Sequence, residues 1–317
     1  MPIRNITYLV TVDGDSVDIV SCEVSASFKT FVSKASFTVY SANSSWLGKE
    51  VEISLGYNGS NTKIFEGYVD DVAYTRLPGT YEITCSDILR LAEKHYIVTD
   101  SLEEPWSREN ITAEDLVGDL LEEAGITSYD GYTSHFTFGV DGKVEFNITA
   151  VSDAISQICN ILATNVYAVN GTAYFRQTMP VPTGSPSKTI TDYIQADYTY
   201  GTEQLRNKVV VFGKKDIYAE ASESSPYLPT GFYQTAIVSS ELIDSQSMAD
   251  SSADYNLELY NKLTEELKLD IEGDPSIFVR DTIHVTNATI DMDDDWFVYS
   301  VKHSMDDTFT TSLYLRR

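Results

Sequence analysis

The sequence is short of cysteine, histidine and basic residues, and each shortage removes a class of function. Its 317 residues include three cysteines and four histidines. Cys22, Cys85 and Cys159 are odd in number and widely spaced, with no CxxC pair and no histidine cluster beside them. Neither a disulfide framework nor a zinc site is encoded, and the three thiols are expected to be reduced and in the core. Lysine and arginine number 22 against 48 aspartates and glutamates, a formal net charge of −26. Such a surface repels phosphate, which excludes a nucleic-acid binder that relies on counterion release. Neither Gly-x-Gly-x-x-Gly nor GxxxxGK[ST] occurs, so nucleotide chemistry has no support.

Long apolar runs are missing too. Residues 1–30 lack a basic segment leading into a continuous apolar one, and no later run reaches membrane-spanning length. Neither signal-directed secretion nor membrane insertion is expected. Seven Asn-x-Ser/Thr triplets, Asn58 and Asn147 among them, then read as turn and cap chemistry.

What is there suits a globular chain of two or three compact units, with 42% hydrophobic residues and 21 tyrosines to fill cores. Val51, Ile53, Leu55 and Tyr57 alternate with polar neighbours, the period of a half-buried strand. Tyr8 to Val12, Ile19 to Val24, Ala35 to Tyr40, Phe65 to Val72 and Tyr81 to Cys85 read the same way, with turns at Asp13-Gly14-Asp15 and Leu77-Pro78-Gly79. The period then changes. Thr112 caps a helix whose apolar face is Ala113, Leu116, Val117, Leu120, Leu121 and Ala124, ending at Gly125. Val151, Ala154, Ile155, Ile158 and Leu162 form a second helical stripe, followed by a hairpin about Asn170-Gly171. Thr178 to Thr191, rich in Pro, Ser and Thr, reads as a linker.

Strands return at Lys208 to Gly213, with Ala219 to Gly231 expected as a long exposed loop. A helix from Met248 to Leu263 follows, its inward face expected at Ala249, Ala253, Leu257, Tyr260 and Leu263. Leu267 to Ile271, Asp281 to Val285, Trp296 to Lys302 and Thr308 to Leu315 complete the strands. The fold class expected is therefore mainly β with an α+β middle region: two small antiparallel β-barrels, residues 1–90 and 196–317, bracketing a mixed α/β domain at 91–195, with a helix inserted in the second barrel. Val51–Ile53, Phe65–Val69 and Tyr81–Cys85 run in the same order and spacing as Thr282–Val285, Trp296–Val301 and Thr311–Leu315, as an internal duplication would.

Few residues offer chemistry. Asp291, Asp293 and Asp295 match the first three ligand positions of a calcium loop, but Trp296 stands where glycine is needed and Lys302 where the final glutamate is needed. A solvated turn is the simpler reading. Glu103-Glu104 and the carboxylates of LVGDLLEEAG are glycosidase candidates by type alone, and neighbouring carboxylates on a helix ordinarily form a wet face. His95, His135, His284 and His303 are scattered, without a triad signature. No catalytic, cofactor or metal residue is assigned.

The order of features resembles that of phage tail-hub proteins, the baseplate hub and late control protein D group. IFEGYVDDVAY with YEITCSDILRLAEK is similar to the end of that family's first barrel. TAEDLVGDLLEEAGI and TAVSDAISQICNILATNVYAVNGTAYF resemble its middle domain. LRNKVVVFG, ELKLDIEGDPSIFVRDTIHV and WFVYSVKHSMDDTFTTSLYLRR resemble the second barrel. Arg280-Asp281 departs from the Gly-Asp common at that turn. The resemblance implies a non-enzymatic virion protein without cofactors, assembled in the host cytoplasm. It would form a trimeric ring at the tip of a tail, contractile by preference, with the tail tube above, a central spike below, other baseplate proteins around it and DNA only in transit. Strand edges flanking Lys208 to Gly213 are expected to pair with neighbouring subunits, and Lys214 and Lys215 to face outward or into interfaces. A carbohydrate-binding tail adhesin and a cell-wall glycan hydrolase are the alternatives.

Overall fold

The computed structural model describes residues 5–75, 79–100, 104–133, 136–178, 185–287 and 292–317. The expected turn at Leu77 and Pro78, the middle of the expected linker, and the candidates Glu103, His135 and Asp291 lie outside these residues.

Seven strands open the chain: β1 (Ile6–Val12), β2 (Asp15–Val17), β3 (Ser21–Ser27), β4 (Lys34–Val39), β5 (Glu50–Tyr57), β6 (Ser60–Thr75) and β7 (Thr80–Asp87). They pair antiparallel in the spatial order β3, β4, β7, β6, β5, β1, β2. Alternation is the cause. Val51, Ile53 and Leu55 are fully buried while Glu50 and Glu52 are exposed. Gly67 is required where β6 passes β7, because a Cβ there would strike the Ser86 carbonyl.

The expected closure into a separate barrel does not occur. The free edge of β3 is occupied by the strand Met292–Met305, in an antiparallel register running from Ser27 opposite Ser300 to Cys22 opposite Met305. The edge that would close the first unit is thus taken by the last one. Thirteen strands from both ends of the chain form one continuous sheet, and among the described residues no closed barrel is present. Beyond Met292–Met305 come Phe309–Arg316, Thr264–Glu272 and Gln195–Gly201, with Thr282–Asn287 on the other flank of Met292–Met305.

The duplicated order is visible in this sheet. β5, β6 and β7 form an antiparallel meander, and Thr282–Asn287, Met292–Met305 and Phe309–Arg316 form another. In both, the central strand is long and shifts register against its third strand, between Val69 and Asp71 in one and between Val298 and Ser300 in the other.

Helices lie between and beside the strands. α1 (Arg90–Lys94) follows β7. α2 (Ala113–Glu123) begins as expected, with the Thr112 hydroxyl accepting from the Asp115 amide at 3.2 Å and Gly125 at φ 80° just past its end. α3 (Val151–Leu162) buries Val151, Ala154, Ile155, Ile158 and Leu162. The hairpin Thr164–Val169 and Thr172–Gln177 turns at Asn170 (φ 48°) and Gly171 (φ 79°), the left-handed pair of a type I′ turn.

Three other expectations change. Lys188–Ile190, placed in the linker, is a strand parallel to Thr282–Asn287, held where its apolar Ile190 is buried. Tyr218–Ser222, which takes in the start of the loop expected from Ala219, pairs with Lys208–Phe212 because Ala219 and Ala221 alternate inward. The third long helix, α4 (Gln246–Tyr260), ends earlier than expected and turns Met248, Ala249, Ser252, Ala253 and Asn256 inward, leaving Tyr260 exposed. Its face is set by polar contacts. Ser252 Oγ and Asn256 Nδ2 both donate to the Ile161 carbonyl, at 2.7 and 3.2 Å, satisfying the last turn of α3.

Phe28, wholly buried just after β3, ties the units together. Its ring meets Tyr167 of the middle hairpin edge-on at 5.4 Å, and Phe297 and Tyr299 of Met292–Met305 at 5.5 and 6.1 Å. Arg280 completes the joint, its guanidinium 5.6 Å from the Phe28 ring and 6.0 Å from Phe297. Here the departure from Gly-Asp has a physical answer. Arg280 adopts φ 75°, a left-handed conformation that costs a non-glycine residue about 1–2 kcal/mol, and its ring contacts offset that cost. We expect Phe28→Ala to destabilise the protein by about 3–5 kcal/mol, a typical penalty for emptying a buried aromatic site. Urea unfolding followed by tryptophan fluorescence measures it, and a loss below about 1 kcal/mol would show that Phe28 is not a joint residue.

Candidate assembly surface

The residues singled out for chemistry are already engaged structurally. His284 lies on Thr282–Asn287 directly opposite Asp295. Its Nδ1 meets Asp295 Oδ1 at 2.7 Å and its Nε2 meets Asp293 Oδ1 at 2.9 Å, while Asp294 pairs with Arg317. A ring flanked by carboxylates at both nitrogens favours the imidazolium, and Asp295 first, then Asp293, raises the His284 pKa above its ordinary value. The described carboxylates of the candidate calcium turn, Asp293 and Asp295, thus face the two nitrogens of a histidine ring. Among the described residues, no group of three or more His, Cys, Asp or Glu side chains is arranged to hold a metal.

The glycosidase candidates are dispersed. Glu104 is exposed. On α2, Asp119 accepts from Arg108 Nε at 2.6 Å and Glu123 from the Trp106 indole at 2.8 Å, both tying the helix to the strand Trp106–Arg108. His95 is exposed at the end of α1. His303 is buried beside Thr311 Oγ1 at 3.0 Å, and burial lowers its pKa to about 4, so it is neutral. The free thiols of Cys22, Cys85 and Cys159 are buried, which raises their pKa values and leaves them unreactive.

Two polar features were not singled out from sequence. Asp70 on β6 gathers Arg90 Nη1 at 2.8 Å, Lys34 at 3.8 Å and Lys94 at 4.0 Å, and also accepts from Ser86. Asp87, almost fully buried, accepts the Ser33 and Leu89 amides at 2.7 and 2.9 Å, yet burial raises its pKa to about 7. Both assemble through pairing of β4, β6 and β7, which no local pattern announces.

Surfaces offer more than side-chain chemistry does. The large sheet ends at Gln195–Gly201 on one side and at β2 on the other. A second, three-stranded sheet has Lys208–Phe212 at its centre, Tyr218–Ser222 antiparallel on one flank and Thr235–Ser239 parallel on the other. Its inner face, including Val209, Val211, Ala219 and Ala221, packs into the core shared with α3 and α4. Its outer face presents Phe212, Tyr218 and Ile237, the last 69% exposed, with Tyr227, Phe232 and Tyr233 exposed on the preceding loop. Phe212 and Tyr218 meet edge-on at 5.5 Å.

The two flanks of this sheet differ. On Tyr218–Ser222, Glu220 stands paired with Lys208 at 2.8 Å, and Gln246 Nε2 donates to the Tyr218 carbonyl at 2.8 Å. Charge and a side-chain cap both discourage strand addition there. Thr235–Ser239 carries no charge and no proline, and it pairs with no other described strand. Lys214 is half-buried and Lys215 exposed on the turn that follows Lys208–Phe212, and neither makes an ion pair with a described residue.

By sequence, no protein-family model and no curated protein matches the chain. By structure, it is similar over nearly its whole length to solved tail proteins. A tail protein from Neisseria meningitidis MC58 superposes with a TM-score of 0.74 at 13% identity, over 99% of this chain and 96% of that one. The 43 kDa tail protein of prophage MuSo2 from Shewanella oneidensis gives 0.72 at 14% identity, over 98% of each chain. An E. coli protein described as a type VI secretion component with structural similarity to the T4 tail proteins gp27 and gp5 gives 0.57 at 11% identity, over 96% of this chain and 76% of that one.

The His284 geometry yields a pH dependence. A histidine whose folded pKa exceeds the unfolded value near 6.5 stabilises the fold fully below that value and loses the contribution as pH rises through the folded one. Titration by NMR is expected to place His284 above 6.5, and Asp295→Asn to lower it. Calcium added at neutral pH should leave the His284 resonances unmoved; a saturable calcium shift would restore the metal reading of this turn.

Proposed function

We propose that this chain is a structural hub of a phage-type tail, a trimeric ring at the tail tip that joins the tail tube above to a central spike below. The observation that carries the reading is the mutual coverage of whole chains: the fold matches tail proteins from end to end, not in one shared module. In this reading residues 1–90, 91–195 and 196–317 work as a first β unit, a middle unit and a second β unit. The two similar meanders would each present a tube-like face, so three chains would offer six nearly equivalent faces to a sixfold tube and threefold contacts to a spike.

Assembly in this reading uses unpaired strand edges, the uncharged edge Thr235–Ser239 foremost, with other baseplate proteins as further partners. The net charge of −26 suits a ring through which DNA slides without sticking, its inner wall net negative and Lys214 and Lys215 turned outward or to interfaces. The site of action is the virion tail tip, after assembly in the host cytoplasm. No cofactor or catalytic step is invoked.

A second reading, a carbohydrate-binding tail adhesin, draws on the exposed aromatic face of Phe212, Tyr218 and Tyr233. One set of variants separates the two. Light scattering on the purified chain is expected to find a trimer, and Ile237→Lys to shift it toward monomer by charging the open edge. Phe212→Ser with Tyr218→Ser would instead abolish binding to host cells while leaving the trimer intact if the adhesin reading holds. A chain that stays monomeric at high concentration with its spike present, or a trimer channel lined mainly by lysine and arginine, would overturn the hub.

A further inference from the structure

A crevice of about 380 Å³ opens where the ends of α3 and α4 meet the last strand of the large sheet. Its size falls in the range of about 300–1,000 Å³ usual for ligand sites, and such sites favour junctions of this kind. Its lining runs against the character of the chain. In a protein with a formal charge of −26, the described residues that line it include four cations, Lys29, Lys262, Arg316 and Arg317, and no carboxylate.

The two arginines are held rigidly. Arg316 is paired with Glu266 at 2.8 Å and lies 4.2 Å from the centre of the Tyr299 ring. Arg317 is paired with Glu265 at 2.8 Å and with Asp294, and lies 5.4 Å from the Trp296 ring. Lys29, on the turn after β3, and Lys262, just past α4, are both exposed and make no ion pair with a described residue. Between these cations the wall mixes apolar Leu259, Leu263 and Tyr299 with amides and hydroxyls such as Asn165 and Thr178.

The carbonyls at the two helix ends would compete for such cations if they were free, since a helix C-terminus carries partial negative charge. They are occupied. Ile161 O accepts from Ser252 and Asn256, Ala163 O from the Thr178 amide, Leu257 O from Asn261 and Tyr260 O from Arg206. Glu265, Glu266 and Asp294 offset the two arginines, so the uncompensated charge at the crevice is that of Lys29 and Lys262.

We propose that this crevice receives an acidic segment of a partner protein. Its carboxylates would lie between Lys29 and Lys262, and its apolar side chains against Leu259, Leu263 and Tyr299. Charge complementarity selects the occupant: an acidic segment is drawn to the two lysines that carry the uncompensated charge of the crevice, whereas a basic one is repelled by them. This reading is independent of how many copies form the ring, and it fails or stands apart from the hub.

The test uses two pools of short peptides equilibrated with the immobilised full chain and read by mass spectrometry. One pool is randomised over Asp, Glu, Leu, Val, Ser and Gly; the other replaces Asp and Glu by Asn and Gln. The native chain is expected to retain the acidic pool over the amide pool by roughly tenfold, the advantage shrinking as salt is raised. Lys29→Glu with Lys262→Glu is expected to abolish the preference, while Lys143→Glu, which changes a lysine paired with Glu109 at 3.3 Å on another face, leaves it unchanged. Both crevice lysines are exposed, so the reversals spare the fold, and circular dichroism verifies that. Equal retention of the two pools, an undiminished preference in the double reversal, or displacement by inorganic phosphate as effective as by acidic peptide would overturn the proposal.

Discussion

The antiparallel pairing of β3 with Met292–Met305 is the constraint on which the rest of this molecule depends. It brings residues some 280 positions apart in the chain into one ladder, from Ser27 opposite Ser300 to Cys22 opposite Met305. Loop-closure entropy over that separation is unfavourable, so the pairing needs side-chain contacts of its own. They are present on both sides of it. Met305 and Phe309 enter the core of the first unit beside Val10, Val12 and Phe37, and Phe28 crosses in the other direction into the core around Trp296 and Phe297. Each end of the chain completes the other's hydrophobic core, which explains why, among the described residues, neither closes into a barrel alone.

The same joint positions the middle of the chain. Phe28 touches Tyr167 on the hairpin Thr164–Val169, and Tyr167 stacks on Tyr174 at 5.5 Å, so the hairpin is clamped to the sheet through a run of rings. The core of α2 and α3 continues without a break into the small sheet around Lys208–Phe212 and into α4. The exposed aromatic face and the open edge Thr235–Ser239 are therefore carried on a platform braced by the middle region. A surface held so firmly suits docking, since little ordering remains to be done on contact.

Much of this was legible in the chain because the signals were local. Period-two alternation placed most strands of the large sheet, and the stripes Leu116 to Leu121 and Val151 to Leu162 placed two helices with their caps. The resemblance carried by segments such as IFEGYVDD and LRNKVVVFG pointed to the same fold that the structural likeness shows. What failed depended on distant partners. Nothing near Ser21–Ser27 says that its free edge meets residues 300–305 and not its own unit. The inward face of α4 was misread because Ser252 and Asn256, polar by type, are buried by a carbonyl on another helix. Lys188–Ile190 looked like linker because its parallel partner lies about a hundred residues away. The cationic crevice was invisible for the same reason, its four cations coming from residues 29, 262, 316 and 317.

The use of arginine gives the acidic composition a structural logic. Arg108 lies 4.2 Å from the Trp106 ring, Arg176 5.3 Å from Tyr174, Arg316 4.2 Å from Tyr299 and Arg317 5.4 Å from Trp296, with Arg280 between Phe28 and Phe297. A guanidinium is planar and weakly hydrated, so it stacks on a ring and still bonds a carboxylate at its rim, which a lysine ammonium does poorly. Several of the chain's few strong cations are thus committed to seams between strands and units. The surface left to solvent is acidic partly as a consequence, and the lysines without an ion pair among the described residues, at 29, 214, 215, 262 and 268, stand out against it as points where an acidic neighbour would be drawn.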